Sequence, residues 1–234
     1  MKKTVLVTGG SRGIGRRTII EFAKHGYNVV INYVSNDRKA EELKNFVVEN
    51  YNVDVMLAKC DVSDEEGVKQ MVSSIIEKYG KIDVLVNNAV YENDDTYINK
   101  TKKDFIKTFE VNVFGAFNTI KNTSKYMNNG VVINVSSRDA VDTYGELTID
   151  YSASKAALNS ITQSFSLAIS NIKFISLLLP WINTESTKQM LPEYLESELK
   201  RTKQKRLIEP EEVAKKIYDL SNDIEKESGS IINF

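Results

Sequence analysis

The sequence predicts an α/β fold, a doubly wound parallel sheet of about seven strands with helices on both faces, in a single domain. Three observations carry this reading. Short runs rich in Val and Ile recur along the 234 residues and mostly do not alternate, as expected of parallel strands covered on both faces. Helical patterns lie between them at roughly 25–30 residue intervals, the spacing of consecutive βαβ units. A glycine-rich turn closes the first run and opens the first helix.

The expected strands are Val5–Thr8, Val29–Tyr33, Val55–Lys59, Val84–Asn87, Val131–Val135, Phe174–Leu179 and Ser230–Ile232. The first expected helix, Ile14–His25, stops at Gly26, a residue suited to the left-handed C-cap. Arg38–Asn50 carries Ala40, Leu43, Phe46 and Val47 at helical spacing. Asp64–Tyr79 follows Ser63, an N-cap candidate with Glu66 three residues on, and ends at Gly80. Lys103–Met127 and Tyr151–Ser170 are longer helices. Right-handed crossovers then give a doubly wound sheet. The charged stretch Thr184–Arg206 interrupts the alternation. It reads either as a solvated surface helix pair or as a lid, since loops at strand C-terminal ends carry function in such folds.

Composition excludes several classes. The 31 Lys+Arg and 32 Asp+Glu nearly cancel, which argues against coating nucleic acid or an anionic membrane. One cysteine, Cys60, cannot form an internal disulfide and fits a reducing, cytoplasmic setting. No stretch approaches the ~18 apolar residues that span a bilayer. The start Met1-Lys2-Lys3 has the charge of a signal n-region, but only Val5, Leu6 and Val7 follow before Gly9. No Cys/His cluster supports a metal site, and the sole histidine, His25, sits at a helix C-terminus where the dipole favours it.

Thr8-Gly9-Gly10-Ser11-Arg12-Gly13-Ile14-Gly15 is where a dinucleotide phosphate should bind, in a Rossmann-type first βα unit. Gly9 permits a tight turn. Gly13 and Gly15 allow backbone to approach pyrophosphate and helix to approach strand. The helix N-terminus offers free N–H groups and partial positive charge. The spacing T-G-x-x-x-G-x-G resembles the short-chain dehydrogenase/reductase family, and the resemblance extends over most of the chain.

The second strand ends Asn32-Tyr33 with no carboxylate where an NAD enzyme keeps one for the ribose hydroxyls. Ser35, Asn36 and Arg38 follow, and Arg12 lies in the glycine turn. A cation and hydroxyls suit a 2′-phosphate, so NADP(H) is favoured over NAD(H). The resemblance gives Arg12 that phosphate. It also implies that Asp61 and Val62 contact adenine and that Asn88 and Ala89, in Asn87-Asn88-Ala89, position cofactor. The family has N-N-A-G there, and this chain has Val90 in place of the glycine.

Tyr151 and Lys155 stand four apart at a helix start and share one face. A free tyrosine titrates at ~10, and an ammonium beside it should lower that value toward working pH. The pair then supplies a proton for a ketone becoming an alcohol. The resemblance places a catalytic hydroxyl at Ser137, with Ser136 as the alternative, to hydrogen-bond the carbonyl oxygen. It gives Asn112 a water in a proton relay to the lysine. It also implies cofactor contacts from Pro180, Ile182 and Thr184, although the family's glycine after the proline is missing and Thr184 falls one residue early. Trp181 reads as a pocket wall.

The resemblance is strongest to bacterial 3-oxoacyl-[acyl-carrier-protein] reductases. It implies an NADPH-dependent carbonyl reductase, with hydride passing to a ketone such as a 3-oxoacyl thioester. Two alternatives stand beside it: an oxidoreductase of the same family acting on a sugar, steroid or small alcohol, and a catalytically weak NADPH-binding or regulatory protein. Related enzymes are built on the two long helices, which implies a homotetramer or homodimer. All seven strands and the 184–206 stretch are needed for one domain spanning residues 1–234.

Overall fold

Strand order decides where a ligand can bind in a doubly wound sheet. The computed structural model describes residues 2–234, so Met1 of the Met1–Lys3 start lies outside the described residues. Seven parallel strands form one sheet in the order β3-β2-β1-β4-β5-β6-β7. They are β1 (Thr4–Val7), β2 (Asn28–Tyr33), β3 (Val55–Lys59), β4 (Val84–Asn87), β5 (Val131–Ser137), β6 (Lys173–Leu179) and β7 (Ser230–Asn233). The order reverses between β1 and β4, and the crevice at their carboxyl ends is the binding position of such sheets.

The helices are α1 (Gly13–Lys24), α2 (Asp37–Asn50), α3 (Glu65–Tyr79), α4 (Lys102–Phe109), α5 (Gly115–Thr123), α6 (Ile149–Ala168), α7 (Pro192–Arg201) and α8 (Pro210–Asn222). Successive strand residues face opposite layers. Val5 and Val7 pack with Ile19 and Phe22 of α1, Leu43 of α2 and Ile217 of α8. Leu6 packs with Val72 and Ile75 of α3, Ile120 of α5 and Phe174 of β6.

Three expectations change. The N-cap of α3 is Asp64, whose side chain accepts the Glu66 N–H, and not Ser63, which bonds back to Asp61. The helix expected over Lys103–Met127 is broken by a π-turn at Glu110–Phe114. There Gly115 lies against Val62, and a Cβ would meet the valine side chain. Helix α8 was not foreseen at all. It opens with Pro210 at its first position and a Glu209–Glu212 capping box, and it lays Val213, Ala214 and Ile217 against the core.

A buried polar ladder ties the central elements. Thr119 of α5 donates to Asn87 (2.7 Å), Asn87 to Asn134 of β5 (2.8 Å), and Asn134 to Thr162 of α6 (2.8 Å). Unsatisfied buried amides are costly, so this chain of partners fixes the register of α6 on the sheet.

Candidate active site

A cleft of about 620 Å³ opens at the carboxyl ends of the strands. Its floor at one end is the glycine turn. Gly9 and Gly13 take positive φ (61° and 51°), which glycine adopts without strain. A Cβ on Gly15 would collide with the Gly9 carbonyl and the Asn88 amide, so Gly15 lets helix pack on turn and does not itself line the cleft. Helix α1 begins after Arg12 with no side-chain cap, which leaves its first N–H groups for an anion. Thr8 holds the turn to β4: its hydroxyl accepts the N–H groups of Asn88 (2.9 Å) and Ala89 (3.0 Å). Asn88 in turn donates to the Thr8 carbonyl (2.9 Å). An uncapped helix end below a backbone-lined trough fits a dinucleotide pyrophosphate.

Ser11, Arg12, Ile14, Tyr33, Ser35, Asn36, Asp61, Val62 and Ala89 all border this end. Arg38 does not; it pairs with Glu42 on the outer face of α2. Burial opposes the charge on Asp61, but two hydrogen bonds from Ser63 outweigh it and hold the carboxyl below its ordinary value. Asn32 was passed over in the sequence except as the end of a strand. Its amide donates to the Ala58 and Cys60 carbonyls (3.0 and 2.9 Å) and joins the ends of β2 and β3 beside the glycine-turn end of the cleft. A buried polar side chain in an apolar strand was the available signal.

At the other end β5 and α6 bring Ser136, Ser137, Tyr151 and Lys155 to the same wall. Lys155 donates to the Val135 carbonyl (2.7 Å), and its ammonium lies 5.5 Å from the Tyr151 ring centre. Burial lowers the Lys155 pKa to about 8, against the pull of Glu92. The expectation that lysine lowers the tyrosine is corrected here. Burial, then the Glu92 and Asp139 carboxylates, push the Tyr151 phenol well above its ordinary value, and only the Ser137 hydrogen bond opposes them. Burial and then Asp94 also raise Glu92, to about 7. Glu92 and Asp139 were not singled out in the sequence as site residues; a carboxylate four residues after the Asn-Asn pair was the signal for the first.

Ser136 and Ser137 differ in use. The Ser136 hydroxyl points back to the Lys155 carbonyl (3.4 Å), whereas Ser137 accepts the Asp139 N–H (3.1 Å) and reaches toward Tyr151. Asn112 stands behind the cleft wall. Its carboxamide is occupied by both backbone groups of Tyr91 (2.8 and 3.0 Å) and by Ser154 (3.0 Å). Pro180, Trp181, Ile182 and Thr184 border the cleft, and Gln204 clamps Trp181 from both sides of its backbone. The 184–206 stretch holds one α-helix, α7, and meets α2 through Glu185, which pairs with Lys39 at 2.7 Å. His25 pairs with Glu21 and stacks on Tyr218, and no metal-binding group of side chains occurs among the described residues.

A nucleotide-binding type of doubly wound sheet, with serine, tyrosine and lysine gathered at its cleft, is the architecture of one large family. The family profile described as short chain dehydrogenase matches residues 3–195, and the chain belongs to that family. It is 38% identical over 168 residues to an uncharacterized oxidoreductase, YhxC, of Bacillus subtilis, covering 71% of this chain and 59% of that one. It is 36% identical over 118 residues to the 3-oxoacyl-[acyl-carrier-protein] reductase FabG of Staphylococcus aureus, covering 50% of this chain and 48% of the reductase. The matches therefore span half to three-fifths of these relatives' length. A short-chain dehydrogenase/reductase of Serratia marcescens superposes with TM-score 0.92 at 24% identity, covering 99% of this chain and 96% of that one. A blue fluorescent protein from a metagenomic library, solved with NADPH, superposes with TM-score 0.89 at 26% identity, covering 99% and 95%.

Proposed function

We propose that the protein is an NADPH-dependent carbonyl reductase that reduces a ketone such as a 3-oxoacyl thioester. The observation that carries this is the convergence of Ser137, Tyr151 and Lys155 on one cleft whose far end is the glycine turn. The bound nicotinamide would supply the hydride to the carbonyl carbon. Tyr151 gives its phenolic proton to the carbonyl oxygen. The phenol is protonated at neutral pH and so carries the proton that reduction consumes. Ser137 offers its hydroxyl to the same oxygen as charge develops there. Lys155 stands beside the phenol, its ammonium held by the Val135 carbonyl and 5.5 Å from the ring centre.

Gly9, Ser11, Gly13 and Ile14 would hold the pyrophosphate, and Asp61, Val62, Asn88, Ala89, Pro180, Ile182 and Thr184 the rest of the cofactor. The absence of a carboxylate at the end of β2, with Arg12, Ser35 and Asn36 bordering the cleft, supports NADP(H) over NAD(H). Residues 1–234 form one cofactor-binding and catalytic domain in this reading, with 184–206 as its lid. Exposed Phe114, Phe117 and Leu167, on the π-turn, α5 and α6, support a homodimer or homotetramer. The single cysteine, Cys60, which cannot form an internal disulfide, supports a reducing, cytoplasmic setting.

Glu92 and Asp139 favour a second substrate reading. Carboxylates around Tyr151 suit a small polar carbonyl compound, such as a keto sugar, better than an apolar acyl chain. Consumption of NADPH and of NADH should be followed with an acetoacetyl thioester and with a panel of neutral, cationic and anionic ketones. Turnover of the thioester with NADPH supports the first reading, and preference for polar neutral ketones supports the second. Tight NADPH binding with no turnover on any carbonyl would leave only a binding protein.

A further inference from the structure

We propose that Lys100 and Asp150 form a buried positioning pair that sets where Tyr151 stands; this rests on the reading of Tyr151 as the proton donor. Lys100 Nζ lies 2.8 Å from Asp150 Oδ1, and both side chains are 1% exposed. The other Asp150 oxygen accepts the Thr108 hydroxyl at 2.6 Å, and Lys100 also donates to the Asn93 carbonyl. Asp150 lies in the first turn of α6, directly before Tyr151, where a carboxylate is also favoured by the helix dipole.

Lys100 closes the loop that runs from β4 to α4 and brings Glu92 to the cleft. That loop is held at two further points. Asn112 clamps both backbone groups of Tyr91, and the Asp95 N–H donates to the Leu147 carbonyl at 3.0 Å. The loop and the start of α6 thus form one unit, with Tyr151 at its seam. Burying two charges is expensive, and a well-packed apolar pair would hold the elements together at lower cost. What an ion pair adds is direction: the carboxylate has one ammonium and one hydroxyl to meet, so the first turn of α6 takes one position. Lys100 also offsets the charge of Asp150, which would otherwise join Glu92, Asp139 and Asp94 near the phenol.

The test compares D150N, K100M and the double variant K100M/D150L, using carbonyl reduction, NADPH titration and hydrogen exchange. In D150N we expect kcat to fall by about tenfold or more, since a displacement of about 1 Å can cost about 100-fold, with the NADPH dissociation constant within about twofold. Exchange should rise at residues 91–100 and in the first turn of α6. If a single variant does not fold, the double, which puts apolar groups of similar size in place of the charges, keeps the fold and the lowered kcat. Wild-type kcat in the double overturns the proposal. So does unchanged exchange at both segments in a folded D150N or K100M variant, a result that needs no turnover. A wild-type protein that turns over no carbonyl overturns instead the role given to Tyr151, and exchange still decides the pair.

Discussion

The two ends of the cleft are built differently. At the glycine-turn end the polar groups are mostly neutral and partnered: Thr8 and Asn88 bond to each other's backbone, Asn32 joins two strand ends, and α1 offers uncapped N–H groups. At the end that carries Tyr151 and Lys155 they are ionisable and close together, and Glu92 shifts both the phenol and the ammonium. The first end is a rigid mould for a ligand that brings its own charge. The second is an electrostatic device whose behaviour depends on how many carboxylates face one phenol. Changes at the first end should therefore alter binding and stability, and changes at the second should alter turnover and its pH dependence.

Tyr151→Phe gives the largest separation. It removes the donor oxygen and should lower turnover by about 10²–10⁴-fold while the NADPH dissociation constant measured by fluorescence stays unchanged. Retained turnover would mean that the acid lies elsewhere. Gly15→Ala tests the mould. Its Cβ meets a carbonyl and an amide that cannot swing away, so stability should fall by about 1–3 kcal/mol in denaturant titration, with weaker NADPH binding. A stable variant that binds as wild type would show that turn and helix have room to part.

Glu92→Gln is the smallest and sharpest change. The folded carboxyl titrates at about 7 against an ordinary 4.5. Its protonated form is the favoured one in the fold, so the stability it contributes is full below about pH 4.5 and is lost as pH rises to about 7. The glutamine variant should then melt above wild type at about pH 8 and show that advantage shrink toward about pH 4.5. Removing this carboxylate also lowers the Tyr151 phenol, so the alkaline limb of the reduction profile should move down. A profile identical to wild type would sever Glu92 from the phenol.

Much of the fold could be read from spacing. The Val- and Ile-rich runs fall within a residue or two of the observed strands, because parallel strands buried on both faces must be apolar throughout. Helix α8 was missed because its short stretch follows a charged segment that hid its start. The break at Glu110–Phe114 was missed because a π-turn leaves the apolar pattern nearly intact while shifting the following turn. Within the site, the glycine turn and the Tyr151–Lys155 pair were legible because their partners are local. The resemblance gives Asn112 a water in a proton relay to the lysine, and only the folded chain shows that its carboxamide holds Tyr91 and Ser154.

The sequence by itself determined where the seven strands fall, the glycine turn, and the face shared by Tyr151 and Lys155, since each depends on residues a few positions apart and on backbone geometry. Only the tertiary structure decided which ionisable groups face one another in the site. Glu92, Asp139 and Lys155 come from three different elements, and their pKa values follow from burial and mutual distance, which no local spacing encodes. The same holds for Lys100 and Asp150: they lie fifty residues apart in the chain and become a pair only when the loop folds back over the start of α6.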